Sequence, residues 1–340
     1  MMPEPCWRIT LDTNPDHCNM HCMMCEDHSD LAKRRKRNLP GRPLMPRELL
    51  ESVLEQAVRF GVKEIIPSTM GEPLIYPHFN RIVEFCTESS LSLNLTTNGT
   101  FPPGPGKRSV EDWANLIVPV ASDIKISWNG ATEKTQQRIM PGTTLAGHVD
   151  NANRFLAVRD ERFRASGRRC RMTMQITFME LNLAELPAML RLAHEMGFDR
   201  IKGHHLWTHF PELECLSLRR SPDSISRWND MARHCRTLAS HMISRSGQEM
   251  ELANFFDLDP ALRDDISPHG KCPFLGKEAW VNSEGEFNVC CAPDLLRRSL
   301  GTFGNLREKT LDEIWNSPAY RTLCETYMKN ALCQTCNMRR

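Results

Sequence analysis

Residues 18–25 read Cys18-Asn19-Met20-His21-Cys22-Met23-Met24-Cys25, a CxxxCxxC triplet. The informative number is three. A structural zinc site closes with four protein ligands, and a cubane iron–sulfur cluster has four irons to ligate. Three local thiolates leave one position for a distant residue or a small molecule. The spacing alone reads equally well as a zinc knuckle or an iron–sulfur site. A disulfide framework fits poorly, because 14 cysteines are spread over 340 residues and a chain of that length does not need staples.

The chain start, Met1-Met2-Pro3-Glu4-Pro5, has neither the basic region nor the apolar stretch of a secretory signal. No apolar run approaches the ~18–20 residues that span a bilayer. The expectation is a cytoplasmic protein with reduced thiols and no membrane partner.

Outward from the triplet, strand-like and helical segments alternate. Trp7 to Asp12 precedes it as a first strand. A second, Lys63 to Ser68, ends in Thr69-Met70-Gly71-Glu72-Pro73. A third, Leu91 to Leu95, ends in Thr96-Thr97-Asn98-Gly99, and a fourth, Asp123 to Ser127, ends in Trp128-Asn129-Gly130. A fifth runs from Met172 to Met179, and a sixth, Arg200 to Lys202, leads into Gly203-His204-His205. Helical patterns at Pro46–Phe60, Pro77–Glu88, Val149–Asp160 and Leu183–Met196 separate them. Such alternation predicts βαβ units and a parallel sheet. Polar and glycine-rich residues gather after the strands, the end at which β/α barrels build their sites.

The ordered set resembles the radical S-adenosylmethionine (radical SAM) superfamily, with a match over most of residues 7–206. That family carries CxxxCxΦC after the first strand of a partial barrel. Φ, commonly aromatic, is here the apolar Met24. Its glycine-rich turn after strand two corresponds to Met70-Gly71-Glu72-Pro73, with Met70 in place of the first glycine. The resemblance implies an α/β fold, a partial (β/α)6 TIM-like barrel, with a [4Fe–4S] cluster on Cys18, Cys22 and Cys25. It further implies that SAM chelates the fourth iron, and that an electron from the reduced cluster breaks a C–S bond to give a 5′-deoxyadenosyl radical. Gly71 and Glu72 then serve the SAM amino group. Thr97, Asn98, Ser127 and Gln175 lie where the family contacts carboxylate or ribose. Ordinary strand-end capping is the plainer reading of these four.

A second cysteine group closes the chain: Cys272, Cys290, Cys291, Cys324, Cys333 and Cys336. Alternation around Ser283-Glu284-Gly285 predicts a β-hairpin. Thr310, with Glu313 three residues on, predicts a helix start with a capping box. The segment resembles the twitch domain, the short form of the SPASM extension. That implies a small α+β domain with a second [4Fe–4S] cluster on Cys272, Cys290, Cys333 and Cys336. The chain ends four residues after Cys336, which favours twitch over full SPASM. A zinc ribbon is the alternative for four such cysteines. The expected organisation is a barrel over residues 1–208, a helical linker over 209–270 and the twitch domain over 271–340.

Cys291 is left over. Neighbouring residues on a strand point to opposite faces, so it cannot easily share a cluster with Cys290. It reads either as a buried small hydrophobe or as a hydrogen-atom donor that quenches a substrate radical. The other cysteines show no ligand spacing.

Net charge is +1, so no global field steers the chain to nucleic acid or membrane. One basic run, Lys33-Arg34-Arg35-Lys36-Arg37, follows the triplet on what reads as a loop. It is a solvated face, or a contact for an anionic substrate or an acidic reductant such as flavodoxin or ferredoxin. With 7% aromatics the chain offers no stacking platform for nucleic acid. Trp128, His204, His205, Trp207 and His209 are candidate substrate contacts, since such rings combine apolar faces with N–H donors.

Peptide-modifying relatives commonly carry an N-terminal recognition domain, and only six residues precede strand one here. The expectation is therefore a small-molecule substrate, a sugar or aminocyclitol of natural-product biosynthesis. The expected outcome is epimerisation, with Cys291 as donor. Alcohol dehydrogenation, decarboxylation of a uronic acid-like substrate and peptide modification are alternatives, and an iron–sulfur electron carrier is the non-enzymatic one.

Overall fold

A computed structural model describes residues 5–338 apart from Thr69, Pro105, Ser246, residues 263–269, Pro293, Thr335 and Asn337. Among the described residues the strands are β1 (Arg8–Leu11), β2 (Glu64–Ile66), β3 (Ser92–Thr97), β4 (Ala121–Ser127), β5 (Arg171–Phe178), β6 (Arg200–His205), β7 (Glu251–Ala253), β8 (Glu278–Val281) and β9 (Phe287–Asn288). Helices Arg47–Arg59, Phe79–Glu88, Val110–Ile117, Leu145–Ser166 and Leu186–Met196 alternate with the first six strands. Pairing is parallel except for β8 with β9. The fold is therefore mixed α/β on a mainly parallel sheet, with the strand–helix alternation expected of a partial (β/α)6 barrel.

The chain divides into two compact units. The first comprises Met1–His17, Gly41–Asn94 and Asp264–Arg340. In it β1 lies between β2 and β8, in register through Arg8↔Glu64 and Arg8↔Glu278. One row of charge locks this register. Arg8 donates from Nη1 to Glu278 Oε1 at 2.9 Å and from Nε to Glu64 Oε1 at 2.5 Å. Removing one partner of such a buried pair leaves an uncompensated charge and is strongly destabilising. The C-terminal hairpin is thus an extension of the β1 edge, with β9 antiparallel to β8. Beyond it, helix Leu311–Trp315 starts at the capping box of Thr310 and Glu313.

The second unit comprises Cys18–Pro40 and Leu95–Arg263, with β4, β5, β6 and β7 side by side. Asp123 on β4 gathers the strand starts: Thr173 Oγ1 donates to it at 2.8 Å, and Arg171 and Arg200 pair with it. Burial works against its charge, but Lys125, Arg200 and Arg171 outweigh burial and hold the carboxyl below the usual range.

Three segments differ from the sequence reading. The basic run stands on a helix, Asp30–Lys36, where a loop was expected. Ser29 caps it by accepting from the Ala32 N–H at 3.1 Å, and four basic residues in its last turn suit the negative helix end. The linker contributes β7, parallel to β6, besides the expected helix Pro222–Ala239 capped by Ser221. A three-residue strand has too short a pattern for alternation to reveal it. The linker's stretch 263–269 lies outside the described residues. Finally, the helical pattern Val149–Asp160 is the middle of a longer helix, Leu145–Ser166, capped by Thr144.

Candidate active site

In the first unit, the turn after β2 is laced to the loop that leads towards the triplet. The Glu72 N–H donates to His17 O at 2.9 Å. Asn14 Nδ2 donates to Glu72 O at 2.7 Å and to His17 O at 3.2 Å. Gly71 must be glycine here, because a β-carbon would lie 2.6 Å from His17 O and closer still to the Asn14 carbonyl. The Glu72 carboxylate, 2% exposed, accepts from the Leu74 N–H at 3.2 Å and caps the short turn Pro73–Ile75. Met70 takes an Arg42 N–H on its sulfur at 3.3 Å, and Arg42 in turn donates to Asp16.

In the second unit, the triplet loop packs on an apolar cluster that includes Met20, Met140, Met179, Leu206 and Phe210. Cys18, Cys22 and Met24 are among the partly buried residues against it. Met24 thus keeps an apolar side chain beside the cysteines, as expected of Φ. Backbone N–H groups already address two sulfurs: Met20 N to Cys18 Sγ at 3.4 Å and His28 N to Cys25 Sγ at 3.3 Å. Burial pushes the Cys25 thiol up, against the lowering effect of such bonds. Asn98, at the end of β3, donates to Asn19 Oδ1 at 2.7 Å and lies 3.9 Å from Cys18 Sγ.

Ser127 and Gln175 are register partners on β4 and β5, and Lys202 on β6 continues the row. Gln175 Oε1 is buried and takes no hydrogen bond from any described residue. Thr97 Oγ1 accepts from the Gly99 N–H at 3.3 Å. At the β6 end, His209 Nδ1 meets Glu26 Oε2 at 2.9 Å, beside the triplet, and its ring stacks parallel to Trp207. His205 packs against Trp228 and Phe178, and His204 Nδ1 lies 3.3 Å from Asn254 Nδ2. Trp128 differs from these: it is fully buried, and its indole N–H donates to Gly130 O at 2.8 Å.

The auxiliary cysteines lie in the first unit. The Leu275 N–H donates to Cys272 Sγ at 3.3 Å. The Cys336 N–H reaches Cys333 O at 3.4 Å, across the end of helix Ala331–Gln334. Burial pushes the Cys290 thiol up to about 11, and neighbouring Cys272 and Cys336 add to the rise. Cys291 is raised further, by burial first and then by Cys290, Cys336 and Cys272. Cys272 and Cys336 are thus close enough to Cys290 and Cys291 to be felt electrostatically, but among the described residues no three His, Cys, Asp or Glu side chains are drawn together tightly enough to hold a metal ion.

The radical SAM superfamily pattern matches residues 15–193 of this chain. The chain belongs to the radical SAM superfamily. A SPASM pattern, an iron–sulfur cluster-binding domain, matches residues 272–337. The PqqA peptide cyclase of Gluconobacter oxydans is 24% identical over 329 residues, covering 94% of this chain and 79% of that protein. The tungsten-containing aldehyde ferredoxin oxidoreductase cofactor-modifying protein of Pyrococcus furiosus is 22% identical, covering 95% and 85%. The structure of Streptococcus suis SuiB bound to S-adenosylmethionine superposes with a TM-score of 0.66 at 16% identity, covering 98% of this chain and 71% of that one. That likeness shows the fold.

As a radical SAM enzyme the chain works with SAM and a [4Fe–4S] cluster, and its SPASM segment with auxiliary iron–sulfur chemistry. The residues fit these groups. N–H donors aimed at thiol sulfurs suit an iron–sulfur cluster, whose potential such bonds tune. The unanswered Gln175 acceptor suits a hydroxyl or amino donor of a bound ligand. Among the described residues no helix is long and apolar enough to cross a membrane.

Sequence reading missed Asn14, His148 and Asn151. Asn14 carried a signal, an Asn-Pro step typical of turns. His148 and Asn151 carried none, since a helical histidine and asparagine reveal their partners only in three dimensions.

Proposed function

We propose that this chain uses SAM-derived radical chemistry to take a hydrogen atom from a C–H bond of a peptide substrate. When bound, the cluster and SAM supply a 5′-deoxyadenosyl radical. Cys18, Cys22 and Cys25 hold the cluster. The turn Met70 to Glu72 receives the SAM amino group, with Gly71 giving close backbone approach. Thr97, Asn98, Ser127 and Gln175 contact its carboxylate and ribose. His204, His205, Trp207 and His209 contact substrate, and Trp128 supports that wall from within the core. Cys272, Cys290, Cys333 and Cys336 hold the auxiliary cluster. The reductant is a flavodoxin or ferredoxin, and the cellular setting a reducing cytoplasm.

The triplet carries the chemistry: two of its three sulfurs are already addressed by N–H donors, and a cluster held by three thiolates would leave one iron for SAM. The peptide reading is supported by the match to the PqqA peptide cyclase over 94% of this chain. A second reading is epimerisation of a sugar or aminocyclitol, with Cys291 returning hydrogen to the substrate carbon. Its support is a thiol that burial keeps protonated, hence with an S–H to give. Its electrostatic neighbours Cys290, Cys336 and Cys272 weigh against it, since a donor must face substrate.

The test incubates reconstituted enzyme, SAM and reductant with deuterated peptide and deuterated sugar pools, and follows deuterium into 5′-deoxyadenosine. Deuterium from the peptide pool supports the first reading; deuterium from the sugar pool alone overturns it. In D₂O, solvent deuterium in product that disappears with Cys291→Ala supports the second. No deuterium from either pool, with 5′-deoxyadenosine still formed, would rule out both substrate classes.

A further inference from the structure

We propose that His148 and Asn151, on the first two turns of helix Leu145–Ser166, are positioning residues that fix the ends of β3 and β4 for SAM. The inference rests on the SAM-contact reading of Thr97, Asn98 and Ser127 given above.

The two residues stand three apart, on one helix face. His148 Nε2 lies 2.9 Å from the carbonyl oxygen of Ser127. A carbonyl only accepts, so Nε2 carries a hydrogen. The ring also meets Trp128 edge-on, with centroids 4.6 Å apart. The same ring abuts the end of β3. A β-carbon on Gly99 would lie 2.7 Å from His148 Cε1, and the glycine has φ +77°. Asn151 then takes the backbone just beyond. Its Nδ2 donates to Gly99 O at 3.1 Å and to Thr100 O at 3.4 Å.

From there the hold passes to the cluster loop. Thr100 donates to Asn98 Oδ1 from both N–H and hydroxyl, at 3.0 and 2.7 Å. Asn98 in turn donates to Asn19. Asn19 donates back to Thr100 Oγ1 at 2.9 Å, closing the ring of bonds. The helix is itself anchored. Thr144 caps it, and Arg154 makes two bonds of 2.6 Å to Glu111 on helix Val110–Ile117. One rigid element thus sets the Ser127 peptide, the Gly99 turn and, through Asn98, the neighbour of Cys18. Positioning groups of this kind act through the side chains they hold.

The test measures SAM dissociation constants of reconstituted, iron-replete enzyme by equilibrium dialysis. His148→Phe keeps a ring against Trp128 and removes the N–H; His148→Gln restores a donor. His148→Phe should weaken SAM binding about 2- to 12-fold, the range for one lost hydrogen bond. His148→Gln should recover most of it. Melting temperature should fall by less than about 4 °C, with iron content unchanged. Asn151→Leu, read the same way, serves if His148→Phe does not hold its cluster. Unchanged SAM affinity in the variant that folds overturns the inference. So does equal weakening in His148→Phe and His148→Gln, which marks a merely structural role. Ser127→Ala runs beside them. If it leaves SAM affinity unchanged while His148→Phe weakens it, the Ser127 contact is wrong and the positioning stands.

Discussion

The two cysteine regions solve opposite problems. The triplet sits on a loop against methionines, with Cys18, Cys22 and Cys25 all partly exposed. Two of its sulfurs, Cys18 and Cys25, receive N–H groups from the loop itself, and Cys18 lies near Asn98, just after β3. The auxiliary cysteines are partly exposed as well. Cys290 is pushed up to about 11 and Cys291 further, by burial and by crowding among thiols. A group that must admit a small molecule is left with an open side and few sulfurs. A group closed by protein has a fourth thiolate instead, and its thiols resist ionising until metal takes the proton's place. The number of sulfurs, three against four, separates the two regions where exposure does not.

The largest expected effect breaks the first region alone. Cys22→Ala should drop iron from about eight to about four per chain and leave no detectable 5′-deoxyadenosine. The melting temperature should stay within about 4 °C of wild type, because the loop surrounds the sulfur without depending on it. Persisting 5′-deoxyadenosine would remove the triplet as the seat of SAM.

Cys290→Ala should also halve the iron, with a different cost. Metal-binding energy in a closed site is folding energy, and Cys290 would be one of the residues that hold the auxiliary cluster. Melting should fall by at least about 5 °C, while SAM cleavage without substrate continues. Equal melting temperatures for the Cys22 and Cys290 variants would erase the contrast between the regions. Chelator treatment of wild type, followed by calorimetry, should reproduce the same loss.

Much of this contrast was legible in the sequence. The triplet, the Gly71-Glu72 turn, the hairpin around Ser283 to Gly285 and the Thr310 capping box are local patterns. Each is set by residues within a few positions, so each can be read without a fold. The helix under the basic run was misread because five adjacent charges hide its single buried residue, Ala32. Strand β7 was missed because three residues carry no period. The roles of Asn14 and His148 depend on backbone groups 58 and 21 residues away, and no local pattern encodes such a distance. The closeness of Cys291 to Cys336 and Cys272 is of this kind too, since those residues lie far apart in the chain.

Gly71→Ala should act in between. A β-carbon meets the Asn14 and His17 carbonyls, and overpacking of this kind costs about 1–3 kcal/mol. SAM affinity should fall roughly 10-fold through a displaced turn, with iron content intact. Gly41→Ala is the control, since its nearest neighbour would be Asp16 Oδ2 at an ordinary 3.8 Å. Matching losses in the two variants would show that backbone approach at Gly71 does not matter.

The smallest expected effect is a pH dependence on the triplet's side of the comparison. His148 is 3% exposed. Burial lowers its pKa from 6.5, against the raising effect of its bond to Ser127. Below about 6.5 the unfolded chain takes up a proton that the folded chain refuses. Its stabilising contribution is therefore complete above that pH and declines as pH falls towards the folded value. The melting temperature of holoenzyme should decline over that interval, and His148→Gln, which cannot titrate, should flatten that part of the decline. Cys290→Ala, which leaves His148 in place, should shift the whole profile downward without changing its slope there. A slope unchanged by His148→Gln would assign the acid sensitivity elsewhere and leave His148 with a geometric role only.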